Sequence, residues 1–438
     1  MITCLTTPVR VILDTTRRCN LSCWYCHSTS GPQYQGPELT GEDVTNVYRS
    51  ANQLKVFDIT LTGGEPLLWT GLQQALKDSS LLDYPALQLI TNATVLTKQR
   101  LEWLKQANIQ RINVSLDGLE EGHTKGRSVG QYSKILDGIQ DIRKVVDNIT
   151  VISVIDRTNA DDWPELTKML LQIGVKQHHL TAVCFAGDAM SDYRGLTKQQ
   201  FMDVRLKIEQ MRQELPPWFH LRFNDVLLRG LTERIVPMHI FTEGFKGWHV
   251  VVRPDGNING YVRAWGRSWR ENEMVGSIKD RSLADTIIDI HPGLRLMAKN
   301  RFSVKEEVQR KFHLDTTQEM IANDVDSVRA IESGQVASLS QPKNDIPLTA
   351  SADQGQAARA LLDSSWLELT QPDLMVDVDL EQQVAREPLR YRLRVEPNFG
   401  GLLFDRVTFD VTVLTHAETQ TLAASLPTSA VATLLPFA

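Results

Sequence analysis

Eight residues near the start of the chain, Cys19-Asn20-Leu21-Ser22-Cys23-Trp24-Tyr25-Cys26, constrain it more than any other stretch. Three thiols separated by three and then two residues can bend round one face of an iron-sulfur cube. A cluster that only carries electrons takes four cysteines, and a structural zinc takes four closed ligands. Here the fourth ligand is missing locally, because His27 follows Cys26 directly and cannot easily turn back onto the same metal. Three ligands leave one iron of a cube open, and an open iron is a place for chemistry. The rival is a zinc loop completed by Cys4 or a distant histidine, and spacing alone leaves that choice open.

The rest of the composition narrows the partners. A chain of 438 residues has room for two or three domains, and its 42% hydrophobic and 23% charged content is ordinary for a globular protein. The net charge of -6, without a Lys/Arg cluster, argues against nucleic acid as a partner. Met1 to Thr7 lacks the regions of a signal peptide, and no apolar run approaches the roughly 20 residues of a membrane span, so a cytoplasmic protein without a membrane partner is expected. Five cysteines, none after Cys184, make no disulfide framework and leave the C-terminal half without a cysteine-ligated cluster of its own.

Taken in order, apolar runs alternate with helical patterns. Strands are predicted at Val9 to Thr15, Val56 to Thr62, Leu87 to Thr91, Arg111 to Leu116, Thr150 to Ile155 and His179 to Cys184. Between them lie helices, one capped by Thr40 with Asp43 and another carrying Ile135, Ile139 and Ile142 on one stripe. Six such repeats predict an α/β fold, a parallel sheet curled into a partial (β/α)6 barrel over residues 5–190. Beyond it, residues 191–300 read as a polar helix from Thr197 and a hairpin, His249 to Tyr261, turning at Pro254-Asp255-Gly256-Asn257. Residues 301–384 read as a helical segment and then a linker rich in Ser, Gln, Asp, Ala and Pro. In residues 385–438, Leu389, Tyr391, Leu393 and Val395 alternate, Phe399-Gly400-Gly401 marks a turn, Phe409, Val411 and Val413 alternate again, and Thr415 with Glu418 caps a helix.

Two further stretches join the cysteine loop in a resemblance. Thr62-Gly63-Gly64-Glu65-Pro66-Leu67-Leu68, at the carboxyl end of the second strand, resembles the glycine-rich segment of the radical S-adenosylmethionine (SAM) family. Ile112-Asn113-Val114-Ser115-Leu116-Asp117-Gly118, with His123 and Arg127, resembles that family's fourth strand and the loop after it. The three matches come in family order. The resemblance implies one 4Fe-4S cluster on Cys19, Cys23 and Cys26, SAM on the open iron, and a 5′-deoxyadenosyl radical that abstracts hydrogen from a substrate. It also implies a flavodoxin- or ferredoxin-type reductant. Cofactor-binding roles follow for Tyr25 (adenine stacking, or simply covering the cluster), Gly63 and Gly64, Glu65 (the methionyl ammonium, unless backbone carbonyls take it), Asn92, and Ser115 with Arg127 (the cofactor carboxylate). Cys184 is open between a hydrogen-atom donor and a packing residue.

The hairpin region resembles the small α+β, twitch-like extension of peptide-modifying members. Gly260 or Tyr261 stands where that extension commonly has a cluster-binding cysteine, so no auxiliary cluster is expected. The last fifty residues resemble a winged-helix-like peptide-recognition module, which implies a precursor peptide held by its leader as an added edge strand. The reading that results is maturation of a ribosomally made peptide by cross-linking, epimerisation or backbone excision. Its rivals are a radical SAM enzyme of a small metabolite and a non-enzymatic metal scaffold, and plain packing or dimerisation is the rival role of the last module.

Overall fold

The computed structural model describes residues 7–183, 187–192, 194–196, 198–224, 235–237, 249–259, 274–288, 380–396 and 400–433. The expected helical segment and linker between 301 and 379, Cys4, Cys184, and the Gly260 and Tyr261 positions fall outside those residues.

Seven strands follow one another in parallel: β1 (Arg10–Asp14), β2 (Asp58–Thr62), β3 (Ala86–Thr91), β4 (Arg111–Ser115), β5 (Ile149–Ile155), β6 (Gln177–Ala182) and β7 (His220–Asn224). Their crossovers are helices: α1 (Gly41–Leu54), α2 (Leu72–Asp78), α3 (Lys98–Gln106), α4 (Glu120–Gly126), α5 (Tyr132–Arg143), α6 (Trp163–Gln172) and α7 (Lys198–Glu214). This is the expected α/β partial barrel with one strand more than the six read from the sequence. β7 follows Pro216-Pro217, and its His220, Arg222 and Asn224 hide it from a search for continuous apolar runs. Caps set the helix ends: Thr40 and Asp43 form the predicted reciprocal box, and Lys55 closes α1 in the left-handed region.

Alternation divides the strands between two environments. Val11, Leu13, Ile59, Leu61, Leu87, Leu89, Ile112 and Val114 point outward into the shared core with α1, α2 and α5. The opposite face lines the lumen, where Arg10 bonds Asp58 at 2.8 Å, and Gln88 reaches both Asp58 and Asn113. Arg10, Asp58, Gln88 and Asn113 satisfy one another there, which lowers the cost of burying them.

The predicted hairpin is present as β9 (His249–Val252) and β10 (Asn257–Asn259), but it is no separate layer. β9 pairs in parallel with β1 (Arg10 opposite His249), and β11 (Met274–Ser277) follows antiparallel, so one ten-stranded sheet runs from β11 to β7.

A second sheet holds β8 (Ile235–Pro237), β12 (Tyr391–Glu396), β13 (Gly400–Asp405), β14 (Asp410–Leu414) and β15 (Val431–Thr433) in the order β15-β12-β13-β14-β8. Gly400 and Gly401, read as a turn, instead open β13. Gly400 has φ +113, and a Cβ there would stand 2.5 Å from the Leu414 carbonyl oxygen. Two helices flank the sheet, α8 (Leu380–Arg386) and α9 (His416–Ser425), the latter with the predicted Thr415–Glu418 capping box.

This sheet closes the amino-terminal end of the barrel. Arg394, with no exposure, donates to Glu396, Thr7, and the carbonyls of Pro8 and Lys55. Phe404 stacks on Phe57 at 5.2 Å, and the Val407 carbonyl accepts from Arg111, Asn148 and Gln177. Arg222 pairs with Asp410. The carboxyl ends of the strands are left to the cysteine loop.

Candidate functional site

Asp14 ends β1, and the chain then runs through Thr16-Arg17-Arg18 into Cys19. That approach is fixed by the glycine pair after β2. Gly64 N–H donates to the Thr16 carbonyl at 2.6 Å and Glu65 N–H to the Arg18 carbonyl at 2.9 Å. A Cβ on Gly63, whose φ is +145, would meet the Thr16 carbonyl oxygen at 2.3 Å, and one on Gly64 the Arg18 carbonyl oxygen at 2.5 Å. The glycines therefore permit, on this side, a close approach by the chain's own cysteine loop.

Glu65 is fully buried and engaged within the chain. Its carboxylate accepts from Leu67 N–H, Thr91 hydroxyl and Asn92 N–H at 2.9, 2.7 and 2.7 Å. The side chain ties the end of β2 to the end of β3. Asn92, beside it, donates to Asn20 at 3.1 Å and lies 3.9 Å from the Cys19 sulfur, while its oxygen accepts from Thr94. The end of β3 thus braces the loop at its first ligand.

On the other side, Asp117 follows β4 and gathers the remaining residues. Arg127 donates to it twice, from Nε at 2.8 Å and Nη2 at 3.0 Å, the Tyr25 hydroxyl donates to the same carboxylate, and Val154 N–H adds a fourth bond at 3.0 Å. The Arg127 guanidinium lies 5.5 Å from the Tyr25 ring centroid. Burial and the neighbouring carboxylate hold the Tyr25 phenol well above its usual range, so it stays a neutral donor. His123 is pushed down to about 4 by burial, which keeps it neutral and able to accept Asp117 N–H through Nδ1 at 3.2 Å. Ser115 ends β4, half-buried, paired across to Ile152. In the sequence Asp117 stands only as part of the fourth-strand stretch, with no role of its own; the signal for its central place in this network is an acid at a strand's carboxyl end, ten residues before an arginine.

The three cysteines sit between these braces. Burial raises the Cys19 thiol to about 11 and the Cys23 thiol to about 12, with Arg127 pulling both down. Leu21 N–H donates to the Cys19 sulfur at 3.4 Å, and Ser30 N–H to the Cys26 sulfur at 3.3 Å. One buried and two half-buried thiols, with amide donors at Cys19 and Cys26 and a nearby guanidinium, fit a metal cluster that itself supplies positive charge. Among the described residues no three His, Cys, Asp or Glu side chains are gathered to hold a single metal ion, whereas a cube binds its thiolates at separate corners.

Comparison with known proteins identifies one stretch of the chain. Residues 13–170 match the Radical SAM superfamily. This stretch is a radical SAM domain. The chain is 28% identical over 221 residues to a PqqA peptide cyclase of Bradyrhizobium diazoefficiens, covering 48% of this chain and 56% of that protein. It is 36% identical over 129 residues to a probable GTP 3′,8-cyclase of Methanocella arvoryzae, covering 29% and 41%. The chain spans about half the length of these curated relatives. Streptococcus suis SuiB, solved bound to precursor peptide SuiA and bound to SAM, superposes with a TM-score of 0.51 at 14% identity over 64% of this chain and about as much of SuiB. That likeness is one of fold. The radical SAM family uses a 4Fe-4S cluster and SAM, and the donor set of this domain fits both.

Asp14 carries a testable consequence of burial. It is 2% exposed, its Oδ1 has no hydrogen-bond partner among the described residues, and desolvation pushes its carboxyl up to about 7 despite Arg17 and Arg253. A carboxyl whose folded value lies above its unfolded value costs nothing below pH 4 and destabilises progressively as pH rises to about 7. Asp14→Asn is therefore expected to stabilise the protein by roughly 2–4 kcal/mol at pH 8 and to be near neutral at pH 4. Chemical unfolding at the two pH values checks this, and an equal effect at both contradicts it.

Proposed function

We propose that the protein is a radical SAM maturase of a ribosomally synthesised peptide. Cys19, Cys23 and Cys26 hold a 4Fe-4S cluster, and Arg127 with Ser115 takes the carboxylate of SAM. When both cofactors are bound they supply hydrogen-atom abstraction. The chain's own part is to hold the loop rigid through Asn92 and Glu65, to keep a fixed positive charge beside Cys23 through Arg127, and to exclude water by burying Tyr25 and Cys19. The domain division, a flavodoxin- or ferredoxin-type reductant and a cytoplasmic location belong to the same proposal; no helix among the described residues is long and apolar enough to cross a membrane.

The observation that carries a peptide substrate is the joint likeness to a peptide cyclase in sequence and to a precursor-binding enzyme in fold. The C-terminal sheet supports leader capture through its β12-β13-β14 order followed by α9, although β8 of the same chain already lies on the β14 edge. A small-metabolite reading rests on the GTP cyclase relative. Co-expression with each short peptide encoded beside the gene, read by mass spectrometry, tests the first. Incubation of reduced, reconstituted protein with SAM and GTP tests the second. A mass change confined to a peptide supports maturation, and GTP turnover without one overturns it.

A further inference from the structure

We infer that Asp117 is a positioning residue that aims Arg127 at the cofactor carboxylate, with Tyr25 as its brace. The inference rests on the reading of Arg127 as the carboxylate's partner. Guanidinium recognises a carboxylate through paired donors, and its value depends on the plane being held before the ligand arrives. Here Asp117 takes one edge of the fork, Nε and Nη2, at 2.8 and 3.0 Å. A second anion must therefore meet the other edge, and Arg127 counts among the charges acting on both Cys19 and Cys23.

The carboxylate is itself immobilised. Its Oδ1 accepts Val154 N–H from β5, its Oδ2 accepts the Tyr25 hydroxyl from the cysteine loop, and its backbone is pinned by His123 and Asn159. A Cβ on Gly126 would stand 3.3 Å from Oδ2 and 3.4 Å from the Tyr25 ring, so the helix end that carries Arg127 packs directly on this pair. Three separate parts of the chain, the metal-binding loop, β5 and the end of α4, are thus locked to one carboxylate. Asp117 also neutralises Arg127 in the folded protein, whose side chain is only 10% exposed. Without the acid, a buried cation stands alone and is free to turn toward the loop's thiolates.

The test measures SAM binding by equilibrium dialysis to anaerobically reconstituted protein, together with the change that SAM makes in the paramagnetic resonance spectrum of the reduced cluster. Arg127→Ala should weaken SAM about a hundredfold, and Asp117→Asn about tenfold with a diminished spectral change. The double variant should bind no more weakly than Arg127→Ala alone, because Asp117 acts only through the arginine. A loose fold would instead cost affinity in both backgrounds. Wild-type affinity in Asp117→Asn, or a further loss in the double variant, overturns the inference. Wild-type affinity in Arg127→Ala sinks the carboxylate reading itself, a separate outcome. Should Asp117→Asn fail to load iron, Tyr25→Phe decides: about threefold weaker binding supports the brace, and unchanged binding overturns it.

Discussion

Replacing Cys19, Cys23 and Cys26 together by alanine is expected to take bound iron from roughly four per chain to background and to abolish 5′-deoxyadenosine formation from SAM. The effect should be complete rather than graded, since the loop offers no substitute. His27 is exposed, lies next in sequence to a ligand and cannot reach the same corner. The fold should survive, because Asn92–Asn20 and the bonds from Gly64 and Glu65 hold the loop without the sulfurs. Iron analysis, circular dichroism and product chromatography on the same sample check all three statements. A variant that still cleaves SAM would remove the loop from the mechanism.

Arg394→Leu is expected to destabilise the protein by about 3–5 kcal/mol. The side chain is wholly buried, and its loss leaves the Glu396 carboxylate, also 1% exposed, without its 2.6 Å partner and the carbonyls of Thr7 and Pro8 without donors. It also removes a guanidinium 5.1 Å from the Phe57 ring. Urea unfolding measures the loss, and a change under about 1 kcal/mol would mean the C-terminal sheet docks only weakly. Deleting residues 385–438 is for this reason a poor test of leader capture. It would strip the barrel of its contacts with Arg394, Phe404, Val407 and Asp410 whether or not the sheet binds a peptide.

How much was legible follows from what each feature depends on. Parallel strands buried on both faces read as apolar runs, so β1 to β6 were found to within about two residues, whereas the short α4 was not read at all; the capping boxes at Thr40 and Thr415 were found because both partners lie within one turn. β7 was missed because a lumen that tolerates Arg222 and Asn224 erases the apolar run. The pairing of β9 with β1 spans more than two hundred residues, and nothing local in His249–Val252 specifies it.

The sequence by itself determined which groups are at hand: three thiols on one loop, a glycine pair where a Cβ would collide, and an arginine after the fourth strand. Those depend on residue type and short spacing, which the chain carries in plain order. The tertiary structure alone decided which segments each of two acids joins. Glu65 is held by Leu67 N–H just beyond it and by Thr91 and Asn92 at the end of β3, whereas Asp117 joins Arg127 to Tyr25 because three distant segments converge on it. It also placed the C-terminal sheet against the amino ends of the strands, opposite the cysteines. Convergence of this kind is set by packing between remote segments, and no periodicity within one segment records it.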